Sequence, residues 1–184
     1  MYDFDALVFI GRFQPFHNAH LKTVEIALQH SAKLIIALGS VQAERSLKNP
    51  FFSDEREQMI LNSLSLEQQK RITFVHLVDV YNDKKWVQQV KDKVSQHTQS
   101  AQHIGLIGHF KDDSSYYLGL FSEWELLRLD NLEDFLSATD IRNLYYAGEI
   151  QQDSLPSGTT HFLSHFITTA DYQYLKQAWS MLDK

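Results

Sequence analysis

Apolar and polar residues follow two rhythms along this chain, and the points where one gives way to the other outline a fold. Short, nearly unbroken apolar runs stand at ALVFIG (residues 6–11), KLIIALG (33–39), RITFVHLV (71–78), HIGLIG (103–108) and EWELLRL (123–129). Runs this short, rich in β-formers and without a polar face, predict strands covered on both sides, as in a parallel sheet. Between them the spacing becomes helical. AHLKTVEIALQH (19–30) places Leu21, Val24, Ala27 and Leu28 on one face. SDEREQMILNSL (53–64) opens with a Ser cap and an acidic first turn, WVQQVKDKVSQH (86–97) reads as a third helix, and ATDIRNLYYAG (138–148) as a fourth that closes on Gly148. Residues 159–182 read as one or two more helices. The alternation predicts βαβ units with right-handed crossovers: an α/β, doubly wound parallel sheet with C-terminal helices. No repeat, low-complexity stretch or Pro/Gly-rich linker interrupts it, so residues 1–184 read as one domain, with a core over about 6–150 and a helical segment over about 151–184.

Composition narrows the chemistry. With 43% hydrophobic and 12% aromatic residues the chain can build a core of its own. A formal net charge of −6 weighs against a nucleic-acid binder, which needs clustered Lys and Arg, but leaves room for a small anionic ligand in a local positive pocket. The absence of cysteine removes disulfides, thiolate nucleophiles and Cys-based zinc sites together. The N-terminus, MYDFD, is acidic where a signal peptide would be basic, and no apolar run approaches a membrane span, so the expectation is a soluble, cytoplasmic protein.

The stretch GRFQPFHNAH (11–20) follows the first strand directly. In open α/β sheets ligands sit outside the carboxyl ends of the strands, so this decapeptide lies where a site belongs. Gly11 permits close backbone approach, Pro15 stiffens the turn, and a helix starting near Asn18 brings the positive end of its dipole to an anion. Arg12 adds a bidentate grip on phosphate, with His17 and His20 beside the first helical turn. The pattern is neither Walker A nor GxGxxG.

GRFQPFHNAH resembles the HxGH signature of the nucleotidylyltransferase superfamily, with Ala19 in place of the glycine, and SATDIR (137–142) resembles its second phosphate motif. GSVQAERSLKNPFFSDEREQMI (39–60) and YNDKKW (81–86) are similar to segments of nicotinamide-nucleotide adenylyltransferases of the archaeal type, in particular to the N-terminal domain of bacterial enzymes that join this activity to a Nudix hydrolase. The likeness covers residues 6 to about 150 and implies a Rossmann-like fold and transfer of AMP from ATP to nicotinamide mononucleotide. It implies that His17, His20, Arg12 and Arg142 handle the reacting phosphates, with His20 nearest the α-phosphate. Gly11, Phe13, Ser137 and Thr139 would complete the ATP site. Trp86 would stack on the cationic pyridinium ring, Lys48 would approach the substrate phosphate, and either Asn82 or Asp83 would orient the carboxamide. Mg2+ is expected to arrive with ATP, with no dedicated protein metal site. The partners implied are ATP and the mononucleotide, with no nucleic acid and no membrane; a homo-oligomer is compatible with the family, and a fused Nudix domain has no signature in this sequence.

Bland readings stand beside these. An isolated HxxH is more often a surface pair or half a zinc site, and with no Cys and no third ligand in the sequence zinc is disfavoured. Lys111, Asp112 and Asp113 follow the fourth strand and so border the crevice. His30, His76, His97, His103, His109, His161 and His165 have no motif around them and read as structural or surface residues. The competing functional classes are a transferase acting on another phosphorylated acceptor, such as phosphopantetheine, and a nucleotide sensor without turnover.

Overall fold

The computed structural model describes residues 2–98, 101, 103–109, 113–129 and 136–182, the side chains of 113 and 114 excepted. Lys111 and Asp112 lie outside the described residues. The chain packs as two compact units made of interleaved segments: residues 1–12, 22–42 and 66–133 form the first, and 13–21, 43–65 and 134–184 the second.

The first unit is the sheet. Its strands are β1 (Phe4–Gly11), β2 (Ser31–Leu38), β3 (Ile72–His76), β4 (Ile104–His109) and β5 (Glu125–Leu129), all parallel, in the order β3-β2-β1-β4-β5. The apolar runs do what their pattern requires: Leu7, Val8, Leu34, Ile35 and Ile36 are completely buried. One cluster joins Val8, Ile10, Ile35, Ala37, Val75 and Leu106 to Val90 and Val94 of helix α4 (Asp83–Ser95). Helix α1 (Asn18–His30), whose first residues belong to the second unit, buries Val24, Ala27 and Leu28 as the sequence spacing predicts, while Leu21, expected on the same face, is half-buried and Thr23 is buried instead. The strand order reverses beside β1, so the switch point, where such sheets bind ligands, lies between β1 and β4. There the register ends at Val8↔Leu106, and further along β1 the Ile10 carbonyl accepts a hydrogen bond from the Tyr117 hydroxyl at 3.2 Å.

Element ends differ from the sequence reading for local reasons. β2 starts at Ser31, two residues early, because α1 runs into it without a loop. β3 stops at His76 rather than residue 78, and Val78 gives its N–H and carbonyl to the amide of Gln89 at 2.8 and 3.0 Å. α4 starts three residues before Trp86, because the Asn82 side chain caps it by accepting from Lys85 N–H at 3.0 Å. β5 begins at Glu125, since Trp124 turns back on Phe121, their rings stacked at 5.0 Å. A four-residue helix, α3 (Leu66–Gln69), and a 3₁₀ segment, Asp113–Leu120, add to the elements foreseen.

The second unit is helical: α2 (Ser53–Leu61), α5 (Ala138–Ala147), α6 (Ser157–Phe166) and α7 (Ala170–Ser180), with the turn that precedes α1. The expected Ser cap on α2 is corrected by the structure. Ser53 is already helical, the cap position is Phe52, and its N–H is satisfied by the Glu55 carboxylate at 2.7 Å. Gly148 closes α5 in the left-handed conformation, φ 100°, as its position predicts. Tyrosines fasten the interior: Tyr145 donates to the Leu163 carbonyl at 2.9 Å, Tyr172 to that of Tyr145 at 2.7 Å and Tyr146 to that of Leu47 at 3.0 Å. Burial pushes all three phenols above their ordinary range, so each stays a neutral donor. No helix among the described residues is long and apolar enough to cross a membrane.

Candidate active site

The turn 13–17 is built on aromatic burial. Phe13 (1% exposed) and Phe16 are sunk in the second unit, and the Gln14–Pro15 peptide is cis. Phe13 takes φ 51°, unusual for a residue with a side chain. Its ring is core, and the residue as a whole is buried. The two phenyl rings seat His20: Phe13 meets it edge-on at 4.9 Å and Phe16 lies stacked at 5.8 Å. His17, 8% exposed, stacks on His20 at 3.7 Å between ring centroids, and its backbone N–H points to His20 Nδ1 at 3.4 Å. His17 also supplies the carbonyl that accepts from Leu21 N–H at 3.0 Å, which makes it the cap of α1. Both imidazoles therefore stand at a helix N-terminus, where first-turn N–H groups lack intrahelical acceptors.

The second motif occupies a second such terminus. Ser137 caps α5: its hydroxyl accepts from Asp140 N–H at 3.2 Å and donates to the Asp140 carboxylate at 2.6 Å. Arg142 is buried, with Nη1 donating to the Gln14 carbonyl at 2.7 Å and Nη2 to Thr139 Oγ1 at 3.1 Å. Thus the structure links the two sequence motifs through one guanidinium. Lys48 is exposed in the loop before Phe51.

Sequence reasoning missed what holds that loop. Gln14, buried inside the decapeptide, pairs both ends of its amide with Phe51, Nε2 to the carbonyl at 2.8 Å and Oε1 from the N–H at 3.0 Å. Arg45 grips both Glu55 oxygens at 2.9 Å, reaches the Pro50 carbonyl, contacts Asp171 at 3.1 Å and lies over the Phe52 ring. A buried amide between two phenylalanines was the available signal for Gln14. Arg45 carried none, being one charge in a polar loop.

In the first unit, Gly11 ends β1, its carbonyl accepting from Gly39 N–H at 2.9 Å, and exposed Arg12 follows, its side chain passing Gly39 where a Cβ would stand 3.7 Å away. Asn82 and Asp83 are exposed at the start of α4. Asn82 spends its oxygen on the cap, and Asp83 accepts from the Tyr116 hydroxyl at 3.0 Å, which pushes that phenol above its usual range. Trp86 is half-buried, with Tyr117 and Phe121 each edge-on at 5.8 Å. Beyond β2 and β3, Asp79 accepts from Ser40 and from the Gln42 amide, both at 3.0 Å, while Gln42 Oε1 accepts from Asp79 N–H at 3.1 Å. His109 ends β4 at the switch point, 3.4 Å from Thr23 Oγ1. Among the described residues no three His, Asp or Glu side chains converge on a metal position. An open depression of about 730 Å³ on α6, bordered by Ser157, Thr160, His161 and His165, contains none of the residues the motifs name.

Residues 8–144 match the cytidylyltransferase-like family. Over 183 residues the chain is 55% identical to the nicotinamide/nicotinic acid mononucleotide adenylyltransferase of Acinetobacter baylyi, covering 100% of this chain and 97% of that protein. It is 30% identical over 159 residues to the nicotinamide-nucleotide adenylyltransferase of Pyrococcus furiosus, covering 85% and 81% of the two chains. Among solved structures it superposes on the bifunctional NMN adenylyltransferase/ADP ribose pyrophosphatase of Francisella tularensis, crystallised with AMP and a manganese ion, with TM-score 0.86 and 37% identity over 95% of this chain. The match spans 52% of that longer protein. With its parallel sheet and two sequence motifs at helix starts, the chain belongs to the cytidylyltransferase-like family and, within it, to the nicotinamide-nucleotide adenylyltransferases.

Proposed function

We propose that this protein transfers AMP from ATP to nicotinamide mononucleotide, releasing NAD and pyrophosphate. The observation that carries the reading is the pair of stacked imidazoles at one helix N-terminus, in the same unit as a guanidinium that ties their turn to a second helix start. A mononucleotide phosphate oxygen attacks the α-phosphorus in line, a new P–O bond forms, and the bond to the β-phosphate oxygen breaks. The nucleophile is already anionic, so no general base is needed; the protein positions the groups and neutralises developing charge. His20 donates from Nε2 to a non-bridging oxygen of the α-phosphate, and His17 and the start of α1 assist it. Arg142, Ser137, Thr139 and the start of α5 take the β- and γ-phosphates, with Arg12 on the triphosphate or incoming phosphate. Trp86 offers an aromatic face to the pyridinium, Asn82 or Asp83 orients its carboxamide, and Lys48 approaches the substrate phosphate. Mg2+ carried on the nucleotide would add charge neutralisation at the phosphates addressed by Arg12 and Arg142. The reaction belongs to the cytoplasm. Pyrophosphate release from Mg·ATP with nicotinamide or nicotinate mononucleotide tests the reading. Turnover with either establishes an adenylyltransferase and names its acceptor, whereas ATP binding without turnover of both overturns it.

A further inference from the structure

Gln14 is 3% exposed, and a buried amide must find partners for both its oxygen and its nitrogen. Both come from one residue 37 positions away, since the side chain pairs with the N–H and carbonyl of Phe51 as a neighbouring strand would. Its own backbone carbonyl meanwhile accepts the Nη1 of Arg142. One residue therefore joins three segments: the histidine turn, the loop ending at Phe51, and α5. The loop is anchored from its other side. Arg45 holds Pro50 and Glu55, and the Phe51 ring packs edge-on against Phe162 and Phe166 at 5.7 and 5.3 Å. Phe51 is thus a fixed post to which Gln14 is tied.

We propose that Gln14 is a positioning residue for nucleotidyl transfer, its side chain fixing the carbonyl that aims the Arg142 guanidinium. The proposal rests on the adenylyltransferase reading above. A guanidinium addresses phosphate through a rigid planar fork, so anchoring one N–H sets the direction of the others. If the Gln14 side chain loses Phe51, its carbonyl drifts and the fork turns with it. A misplacement of about 1 Å is enough to cost a transfer reaction on the order of a hundredfold.

The test compares Gln14→Met, which keeps length but loses both bonds, with Arg142→Lys and with the double variant, in the full chain. Turnover with Mg·ATP and nicotinamide mononucleotide, ATP Kd by calorimetry and thermal unfolding are measured for each. Gln14→Met is expected to lower kcat by roughly tenfold to a hundredfold while the KM for the mononucleotide stays nearly unchanged. The double variant is expected to be about as impaired as Arg142→Lys alone, because two residues acting as one unit are not additive. Losses that multiply in the double variant would overturn the proposal, as would a lower melting temperature with unchanged kcat. Should Gln14→Met fail to fold, Gln14→Glu replaces it. A protonated carboxyl offers one donor and one acceptor, as the amide does, so the activity of this variant relative to the unmodified protein should rise as pH is lowered from about 8 to about 6. A flat ratio overturns the proposal. An unmodified protein that turns over neither mononucleotide sinks the adenylyltransferase reading instead. The same cycle then rests on ATP Kd, where additive effects overturn the role of Gln14 by itself.

Discussion

His20 Nδ1 faces the backbone nitrogen of His17 at 3.4 Å, and since an amide N–H can only donate, the neutral His20 ring carries its proton on Nε2. The nitrogen turned away from the helix is therefore the one able to donate to phosphate oxygen. His20→Ala is expected to lower kcat for pyrophosphate release by about a hundredfold to a thousandfold, the usual loss when one transition-state donor is removed. His20→Gln, whose amide nitrogen falls near Nε2, should keep more activity than His20→Asn, whose nitrogen falls near Nδ1. The reverse order would assign the donation to the other nitrogen.

Trp86 meets Tyr117 and Phe121 through ring edges, an arrangement that fixes the plane of the indole. Trp86→Leu is expected to raise the KM for nicotinamide mononucleotide by roughly fivefold to thirtyfold, about 1 to 2 kcal/mol of cation–π attraction, with the KM for ATP little changed. Steady-state kinetics varying each substrate in turn separates the two.

Gly148 closes α5 at φ 100°, and a Cβ there would meet only the flexible end of Lys176, at 3.6 Å. The cost of a side chain is consequently one of backbone conformation. Gly148→Ala should destabilise by about 1 to 2 kcal/mol and Gly148→Asn by less, because Asn tolerates the left-handed region. Denaturant midpoints of the three proteins give the order.

Burial pushes the Tyr117 phenol up to about 12. Its unfolded counterpart ionises near 10, so the folded state holds the proton longer, and the contribution is present in full below pH 10 and lost as pH rises through about 12. Unfolding free energy measured across that window should fall. Tyr117→Phe should flatten the slope, at the expense of the bond to the Ile10 carbonyl.

The centres of the five strands and of the main helices were legible in the sequence, because burial on two faces or on one leaves a periodicity that survives without coordinates. Their ends were not. Val78 leaves β3 for Gln89, 11 residues on, and Phe52 displaces Ser53 as the α2 cap because Glu55 reaches back to it. At the candidate site the motifs located two helix starts, yet the sequence could not tell that Phe13 turns its ring into the core or that the Asn82 oxygen is used on a cap. Gln14 and Arg45 escaped for the same reason: their partners are backbone groups and side chains brought near only by folding.

Gln14 on Phe51 and Gln89 on Val78 are two instances of one device, a side-chain amide closed onto both main-chain groups of a distant loop residue. Such a clasp carries no net charge. Counter-ions cannot screen it, and no proton is gained or lost from it over the range in which proteins operate. In a molecule of net charge −6 that is expected to admit a polyanion, these two pairs of bonds are not themselves weakened as ionic strength changes. The clasps themselves hold without charge, unlike the Arg45–Glu55 pair that anchors the Phe51 loop from its other side.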